Sequence, residues 1–419
     1  ELCTDHRGGD SIKPKIVSAT ATTRNYKEQI NKLYARDTAS IFPPPGLSAD
    51  DSFFATSERD NDGNLTPGRI HLGLMATGYA SSQTASVRAF SSLLNTPSYL
   101  PDDEKDPWWT LLVFFNSIRE LGGALTLFMG DIPERMAVLR KRLNNLKQTT
   151  DGKFKYDNAR WLSQYGIKEL TSRIRNDEVP KAIEDLEMPF KSIKTENKAF
   201  DVCLASSIIE VGVDIQRLSM MAIVGQPKTT AQYIQVSGRV GRDRRKPGLV
   251  ITQYSSSKPR DRSHFERFKS YHDRLYSMVE PASLTPFTPP AVRKTLTGVI
   301  ASYLRQTKGQ AAAKDPRAAV QYLDDCCELI RNRCKSIAPD EIPQLEQWLD
   351  QARAELQDWN IDTWSMSSQM GDNPAQLRRA GSPCHPNWEQ RTWATMNSMR
   401  SVDTECSAEI CQHPTPQDQ

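Results

Sequence analysis

The stretch TTAQYIQVSGRVGRDRRKPGLVITQY, residues 229–254, decides how this chain is read. Its first half reads as a helix, and GLVITQY (248–254) is a short apolar run bounded by turn signals, the pattern of a buried strand. Between them Arg239 and Arg242 stand three apart, each directly after a glycine, and Arg244 and Arg245 follow at once. A dense basic turn of this kind is either a solvated charge run or a clamp for phosphate. The rest of the chain has to decide between the two.

Working outward, apolar runs alternate with helical patterns. TLLVFF (110–115), IKELTSRI (167–174), FDVCLASS (200–207) and MMAIVGQP (220–227) read as strands. SIRELGGALTLF (117–128), capped by Asn116 or Ser117, and DEVPKAIEDLE (177–187) read as the helices between them. That β-α-β-α series predicts an α/β fold, a doubly wound parallel sheet with ligands at the carboxyl ends of its strands. Upstream, KPKIVSAT (13–20) reads as a further strand with a polar tip, and 24–100 mixes a helix, the turn FPPPG and a strand RIHLGLM (69–75). PASLTPFTPP (281–290) carries four prolines and marks a domain edge. Residues 291–360 are helical and polar, and from 361 the chain turns Ser-, Asn- and Pro-rich, with Trp359, Trp364, Trp388 and Trp393 in or near it.

Composition narrows the function classes. The chain has 419 residues, 25% charged and 38% hydrophobic, with net charge +3. That is ordinary for a chain with two or three packed domains and too nearly neutral to coat nucleic acid by bulk charge, so any polyanion contact must be local. No apolar run approaches the roughly 20 residues that span a bilayer. The eight cysteines form no C-x-x-C pair, which argues against a disulfide framework and for a reduced, cytoplasmic setting. Cys326, Cys327 and Cys334 read as packed helix residues. Cys384, His385, Cys406, Cys411 and His413 gather near the end without the spacing of a familiar zinc motif.

The chemistry-bearing residues follow strands or helices. Ser18, Ala19 and Thr20, the run ASSIIEVGVDI (205–215) and QVSGRVGR (235–242) present small hydroxyls, glycines and arginines. Glycine permits a close backbone approach to phosphate, and arginines three apart on a helix reach one anion together. Asp214, after Gly212, offers an acceptor for a ribose hydroxyl or an anchor for an arginine. In QPKTT (226–230), Lys228, Thr229 and Thr230 stand at a strand end that opens a helix, a suitable place for a backbone phosphate. Asn116 and Ser117 hold the matching position elsewhere. KPRDRSHFERFKSYHDR (258–274) interleaves basic residues with Phe265, Phe268 and Tyr271, which are either core or a platform for bases. The four tryptophans are likewise a packed cap or a docking surface.

In this order and spacing the segments resemble superfamily 2 helicases and translocases. SAT is similar to motif III, LLVFFNS to motif IV, ASSIIEVGVDI to motif V and QVSGRVGR to motif VI. The resemblance implies a RecA-like second helicase domain with an α-rich extension. It implies that Arg239 and Arg242 act on the γ-phosphate of ATP, with Gln235 at the first position of the motif. It further implies that Gly212 and Asp214 face the nucleotide, that Ser206 donates to the nucleic-acid backbone, and that Ser18 and Thr20 couple ATP state to strand movement. Val236 departs from the pattern, since many helicases carry an arginine there. The longer phrases PPPGLSADDSFFA, WWTLLVFFNSIRELGGA, GQPKTTAQYIQ, KPRDRSHFERFKSYH, SLTPFTPPAVRKTLTGV and NSMRSVD resemble the helicase subunit of DISARM, a bacterial antiphage defence system. That closer resemblance implies an ATP-dependent motor on DNA with a partner subunit carrying a zinc-binding-type domain.

Two helicase parts are missing from the 419 residues. There is no phosphate-cradling G-x-x-x-x-G-K-[ST], and the one Asp-Glu-x-Asp string, DEKD (103–106), follows a proline turn and lies after SAT, so it reads as a solvated loop. The chain opens on Glu1, not Met, which points to a fragment or a processed product. The expected organisation is the end of a first RecA-like domain at 1–23, an inter-domain segment or insertion at 24–101, the second RecA-like domain at 102–280, a helical accessory domain at 281–360 and a Trp/Ser/Pro-rich segment at 361–419. ATP and Mg²⁺ would be held mainly by the first domain, so this chain alone is expected not to hydrolyse ATP. A non-catalytic module that binds nucleic acid or a partner is the alternative.

Overall fold

A computed structural model describes residues 7, 9, 12–20, 24–44, 56–66, 68–78, 81–147, 160–171, 174, 178–191, 199–206, 214–243, 246–281, 284–357, 361–365, 375–379 and 392–395. The chain divides into two compact units, one of Thr20–Arg24 with Ile41–Pro281, the other of Glu1–Ala19, Asn25–Ser40 and Ala282–Gln419.

The first unit holds a six-stranded parallel sheet in the order β1-β6-β5-β2-β4-β3. Its strands are β1 (Arg69–Met75), β2 (Leu111–Phe115), β3 (Ile167–Leu170), β4 (Val202–Ala205), β5 (Met220–Val224) and β6 (Gly248–Tyr254). Helices α2 (Ser82–Asn95), α3 (Asp106–Trp109), α4 (Ile118–Met129), α5 (Asp131–Lys147), α6 (Val179–Glu187), α7 (Thr230–Ser237), α8 (Pro259–Glu266) and α9 (Phe268–His272) belong with it, and α1 (Tyr26–Tyr34) with the other unit. β2 and β4 are buried at every position, as expected of central parallel strands covered on both faces. On one face Leu112, Phe114, Cys203, Met221 and Ile223 pack against Leu186 of α6 and Tyr233 and Val236 of α7. On the other, Val113, Phe115, Leu204 and Ala222 pack against Phe90 of α2, Leu121 and Phe128 of α4 and Ile132 of α5. This is the RecA-like doubly wound architecture. Val236 is fully buried, so the departure from arginine at that position serves the core.

The structure departs from the sequence reading in three places. β1, at the outer edge of the sheet, pairs in parallel with β6 from Arg69↔Gly248 to Met75↔Tyr254. Much of 56–101 therefore lies in the same compact unit as the sheet. Residues 13–20 form no strand. Ile16 and Val17 are 42% and 85% exposed, and among the described residues no strand lies beside them to satisfy their backbone groups. Asp106 of the DEKD string is not merely solvated: its carboxylate accepts from the Phe190 amide at 2.6 Å and pairs with Arg217 at 3.2 Å.

The second unit is helical. α10 (Pro289–Thr307), α11 (Gly309–Lys314), α12 (Pro316–Ala319), α13 (Leu323–Ile337) and α14 (Ile342–Leu356) surround a core that includes Ile300, Leu304, Cys326, Cys327, Cys334, Leu349, Trp364 and Trp393. β7 (Leu377–Arg379) and β8 (Trp393–Thr395) pair in parallel. Trp364 donates to the Ala312 carbonyl at 2.8 Å and Trp393 to Glu355 at 2.8 Å, so these two tryptophans are a packed cap. Trp359 and Trp388 lie outside the described residues. Arg333 donates to the Asn31 and Lys32 carbonyls, placing a cation at the carboxyl end of α1.

Two local arrangements fix α7 and the turn that follows it. Gly241 adopts φ +64°, and a β-carbon there would lie 2.5 Å from the Gly248 Cα. Backbone thus lies on backbone, held by Gly241 N–H to the Leu218 carbonyl at 2.8 Å and Gly248 N–H to the Gly68 carbonyl at 2.8 Å. Behind α7, the Tyr233 hydroxyl meets His71 Nδ1 at 3.1 Å, His272 Nε2 at 2.9 Å and Thr252 Oγ1 at 3.3 Å. Burial first, then the charges of His272 and Arg69, push the His71 pKa down to about 4, and burial lowers His272 as well.

Gly241→Ala should therefore destabilise this unit by about 2 kcal/mol or more, through left-handed backbone strain plus the clash, read as a shift in urea midpoint. A change below about 0.5 kcal/mol would contradict the close crossing. The histidines give a pH signature. His71 is neutral when folded but takes a proton near pH 6.5 when unfolded, so its contribution is present above pH 6.5 and is lost as pH falls toward 4. The loss approaches about 3 kcal/mol for a shift of this size. His71→Gln should flatten the decline in urea midpoint between pH 7 and 4.5, leaving the part due to His272 and His264.

Candidate phosphate and nucleic-acid sites at the two edges of the sheet

The chain leaves β2 through α4 toward β3, and leaves β5 through α7 toward β6, on the opposite side of the sheet. Between β2 and β5 the crossovers thus diverge, which opens a crevice at the carboxyl ends of these strands. Asn116 and Ser117 line it from β2, and Lys228 and Thr229 from β5. Asn116 Nδ2 spans it, donating to the Val224 carbonyl at 2.9 Å and the Gly225 carbonyl at 3.2 Å. Ser117 and Thr229 cap α4 and α7, accepting from Glu120 N at 3.2 Å and Gln232 N at 3.1 Å. Ser206, at the end of the neighbouring β4, is 3% exposed. Its hydroxyl and the Asn116 Oδ1 are buried with no partner among the described residues, the kind of group that calls for a ligand or water.

Thr230 sits differently. Its amide and hydroxyl both go to the Glu280 carboxylate, at 2.9 and 3.1 Å, and its hydroxyl accepts from Tyr271 at 3.2 Å. It is buried, so it fixes the opening of α7 and presents nothing outward.

The arginine turn lies at the other edge. α7 carries the chain from the end of β5 back to the start of β6, so Arg239 and Arg242 stand at the amino ends of the strands, not at the carboxyl ends where ligands were expected. Five residues of β5 separate the edges by roughly 15 Å at the rise of a strand. Gln235 is half-buried on α7, and Arg239 is half-exposed just past its end. Arg242 is held twice, by its Nε donating to the Gly238 carbonyl at 3.0 Å and by an ion pair with Asp214 at 2.6 Å. The two side chains are 30% and 55% exposed, so the pair orients Arg242 more than it stabilises the fold. Of the two uses read for Asp214, the structure displays the arginine anchor. Gly212, Arg244 and Arg245 lie outside the described residues. Ser18, Ala19 and Thr20 are exposed, with Ser18 bonded to the Tyr34 hydroxyl at 3.0 Å.

Three residues at these edges escaped the sequence reading. Arg69 donates to the Val240 carbonyl at 3.0 Å and so braces the arginine turn from β1. Asp261, 2% exposed, accepts from Gln226 N at 3.0 Å and Ser255 N at 2.8 Å, tying together the ends of β5 and β6. Glu280 orders Thr230. An acid in the first turn of a helix behind a proline was the visible signal for Asp261. Phe265 and Phe268, both half-buried, pack edge-on against Tyr254 at 5.8 and 6.3 Å between ring centres, while Tyr271 is buried in the core. The metal-ligand candidates Cys384, His385, Cys406, Cys411 and His413 lie outside the described residues.

Residues 131–244 match the helicase conserved C-terminal domain. The chain is 36% identical over 422 aligned positions to the DISARM protein DrmA of Bacillus paralicheniformis, covering 96% of this chain and 35% of that protein. It thus spans about a third of the length of this relative. Solved structures with a similar course include the DUF1998 helicase MrfA bound to DNA and AMPPNP, at 16% identity over 66% of this chain and 30% of that one, with TM-score 0.39. Another is the Mycobacterium smegmatis helicase Lhr bound to ssDNA and AMP-PNP, at 12% identity over 57% and 25%, with TM-score 0.34. Among the described residues no helix is long and apolar enough to cross a membrane. Over residues 131–244 the chain thus matches the helicase conserved C-terminal domain, and along most of its own length it is similar to the DISARM protein DrmA.

Proposed function

We propose that this chain is the C-terminal part of an ATP-dependent DNA helicase or translocase in bacterial antiphage defence. The observation that carries the reading is the arginine turn. Gly241 lets it lie directly on the start of β6, and Arg242 is oriented there by Gly238 and Asp214. Such a turn suits one side of a triphosphate. Arg239 and Arg242 reach the γ-phosphate of an ATP held by another RecA-like domain, with Gln235 beside them and Gly212 and Asp214 facing the nucleotide. An arriving phosphate competes with Asp214 for Arg242. Arginine in this position stabilises charge on the transferring phosphoryl, worth about 10³–10⁵ in rate. Mg²⁺ is assigned to the same other domain as the triphosphate.

At the opposite edge, Asn116, Ser117, Ser206, Lys228 and Thr229 contact the nucleic-acid backbone, with Thr230 setting the loop from beneath. The two buried oxygens without partners, on Asn116 and Ser206, support this assignment. Ser18, Ala19 and Thr20 couple the two events. The setting is the cytoplasm, with DNA and a second subunit of the defence complex as partners. A non-catalytic binding module is the second reading, favoured by the lack of a phosphate loop within the 419 residues.

The chain by itself should release no phosphate from ATP above background with Mg²⁺ and DNA present. Robust Mg²⁺-dependent turnover by the purified chain, abolished by Arg242→Ala, would contradict the division of the site.

A further inference from the structure

The openings of α4, α7 and α8 meet at the carboxyl end of β5. Gly225, at φ +76°, lies between them: a β-carbon there would stand 3.4 Å from Asn116 Nδ2 and 3.5 Å from Asp261 Oδ2. Lys258, which opens α8, bonds Glu120 in the first turn of α4 at 2.8 Å. The first turn of α8 is therefore part of the rim of the crevice between β2 and β5, not a remote surface.

The charge on that rim is mainly basic, with Glu120 taken up by Lys258. Asp261 is the acid of this turn, and its carboxylate is buried and committed to the amides of Gln226 and Ser255. What α8 turns outward is Lys258, Arg260 and Arg262, all exposed, with exposed Lys228 across the crevice. Arg262 meets Glu266 only at 3.9 Å, both more than 60% exposed, a contact worth little. Arg260 has no hydrogen bond or ion pair among the described residues, and its charge helps to depress the pKa of His264 after burial has done the larger part. Lys258 and Arg262 stand one helical turn apart, about 6 Å, far enough to take separate phosphates. Phe265 and Phe268 of the same segment are half-buried against Tyr254.

We infer that the exposed start of α8, with Lys258 and Arg262 on one flank and Arg260 on the other, carries the phosphate backbone of a nucleic-acid strand onward from the crevice lined by Asn116, Ser117 and Lys228. The contact is electrostatic and indifferent to base sequence, because cations and no bases-facing groups are presented. It rests on the reading of this chain as a nucleic-acid binder and extends the path by one helix.

The test is fluorescence anisotropy of a labelled oligo-dT strand titrated with the chain between 50 and 200 mM salt. Wild type, the double variant Arg260→Gln with Arg262→Gln, and Lys228→Gln are compared, with thermal melts to match their folding. Each lost phosphate contact on a single strand lowers the slope of log affinity against log salt by about 0.7. The double variant should therefore bind with a slope shallower by about 1.4, and replacing oligo-dT by a mixed sequence should leave its loss unchanged. An unchanged slope in the double variant, while Lys228→Gln weakens binding, overturns the α8 path and leaves the crevice reading standing. No binding by the wild-type chain overturns both.

Discussion

The close crossing of Gly241 over Gly248 is the constraint on which the rest depends. Two glycines let the backbone of the arginine turn lie on the first residue of β6, with no side chain between them. The hydrogen bonds from Gly241 to Leu218 and from Gly248 to Gly68 then fasten the turn to the entry of β5 and to the edge strand β1. A turn so held has little freedom, and Arg242 inherits that order through Gly238 and Asp214. The fold thus does ahead of time the ordering that a flexible basic loop would have to do on meeting an anion.

The same sheet separates two chemistries. Helix α7 starts beside the crevice at the carboxyl edge and ends at the arginine turn at the amino edge, so one short rigid element touches both sites. Its buried side bears Val236 and Tyr233, both packed into the core, with the Tyr233 hydroxyl bonded to His71 and His272. On the proposed assignment, phosphate recognition at one end and backbone recognition at the other would be linked by these packed side chains. Glu280 and Asp261 anchor the crevice end, Arg69 the other.

What was legible in the sequence followed from burial. LLVFF, VCLA and MMAIV are unbroken apolar runs because central parallel strands are covered on both faces, and each became a strand. RIHLGLM was readable as a strand but not as a member of this sheet, since its partner β6 lies some 180 residues on and nothing local announces it. KPKIVSAT carried the same local signal and formed no strand, because apolar residues alone do not supply a neighbour for their backbone. The arginines, Asp214, Asn116, Ser117 and Ser206 were legible by their resemblance to helicase motifs. Their distribution over two edges was not: it depends on α7 returning the chain along the sheet. Arg69, Asp261 and Glu280 act through contacts to distant backbone or side chains, which no motif encodes.

The central claim is that Arg242 is one side of a phosphoryl-transfer site completed by another domain. The most direct measurement is the DNA-stimulated ATPase of a protein that carries this chain together with a phosphate-loop domain, comparing wild type with Arg242→Ala. The account predicts a fall in kcat of about 10³ or more, with KM for ATP and DNA affinity within a few-fold of wild type. An unchanged kcat, or an effect confined to KM or to DNA binding, would contradict it.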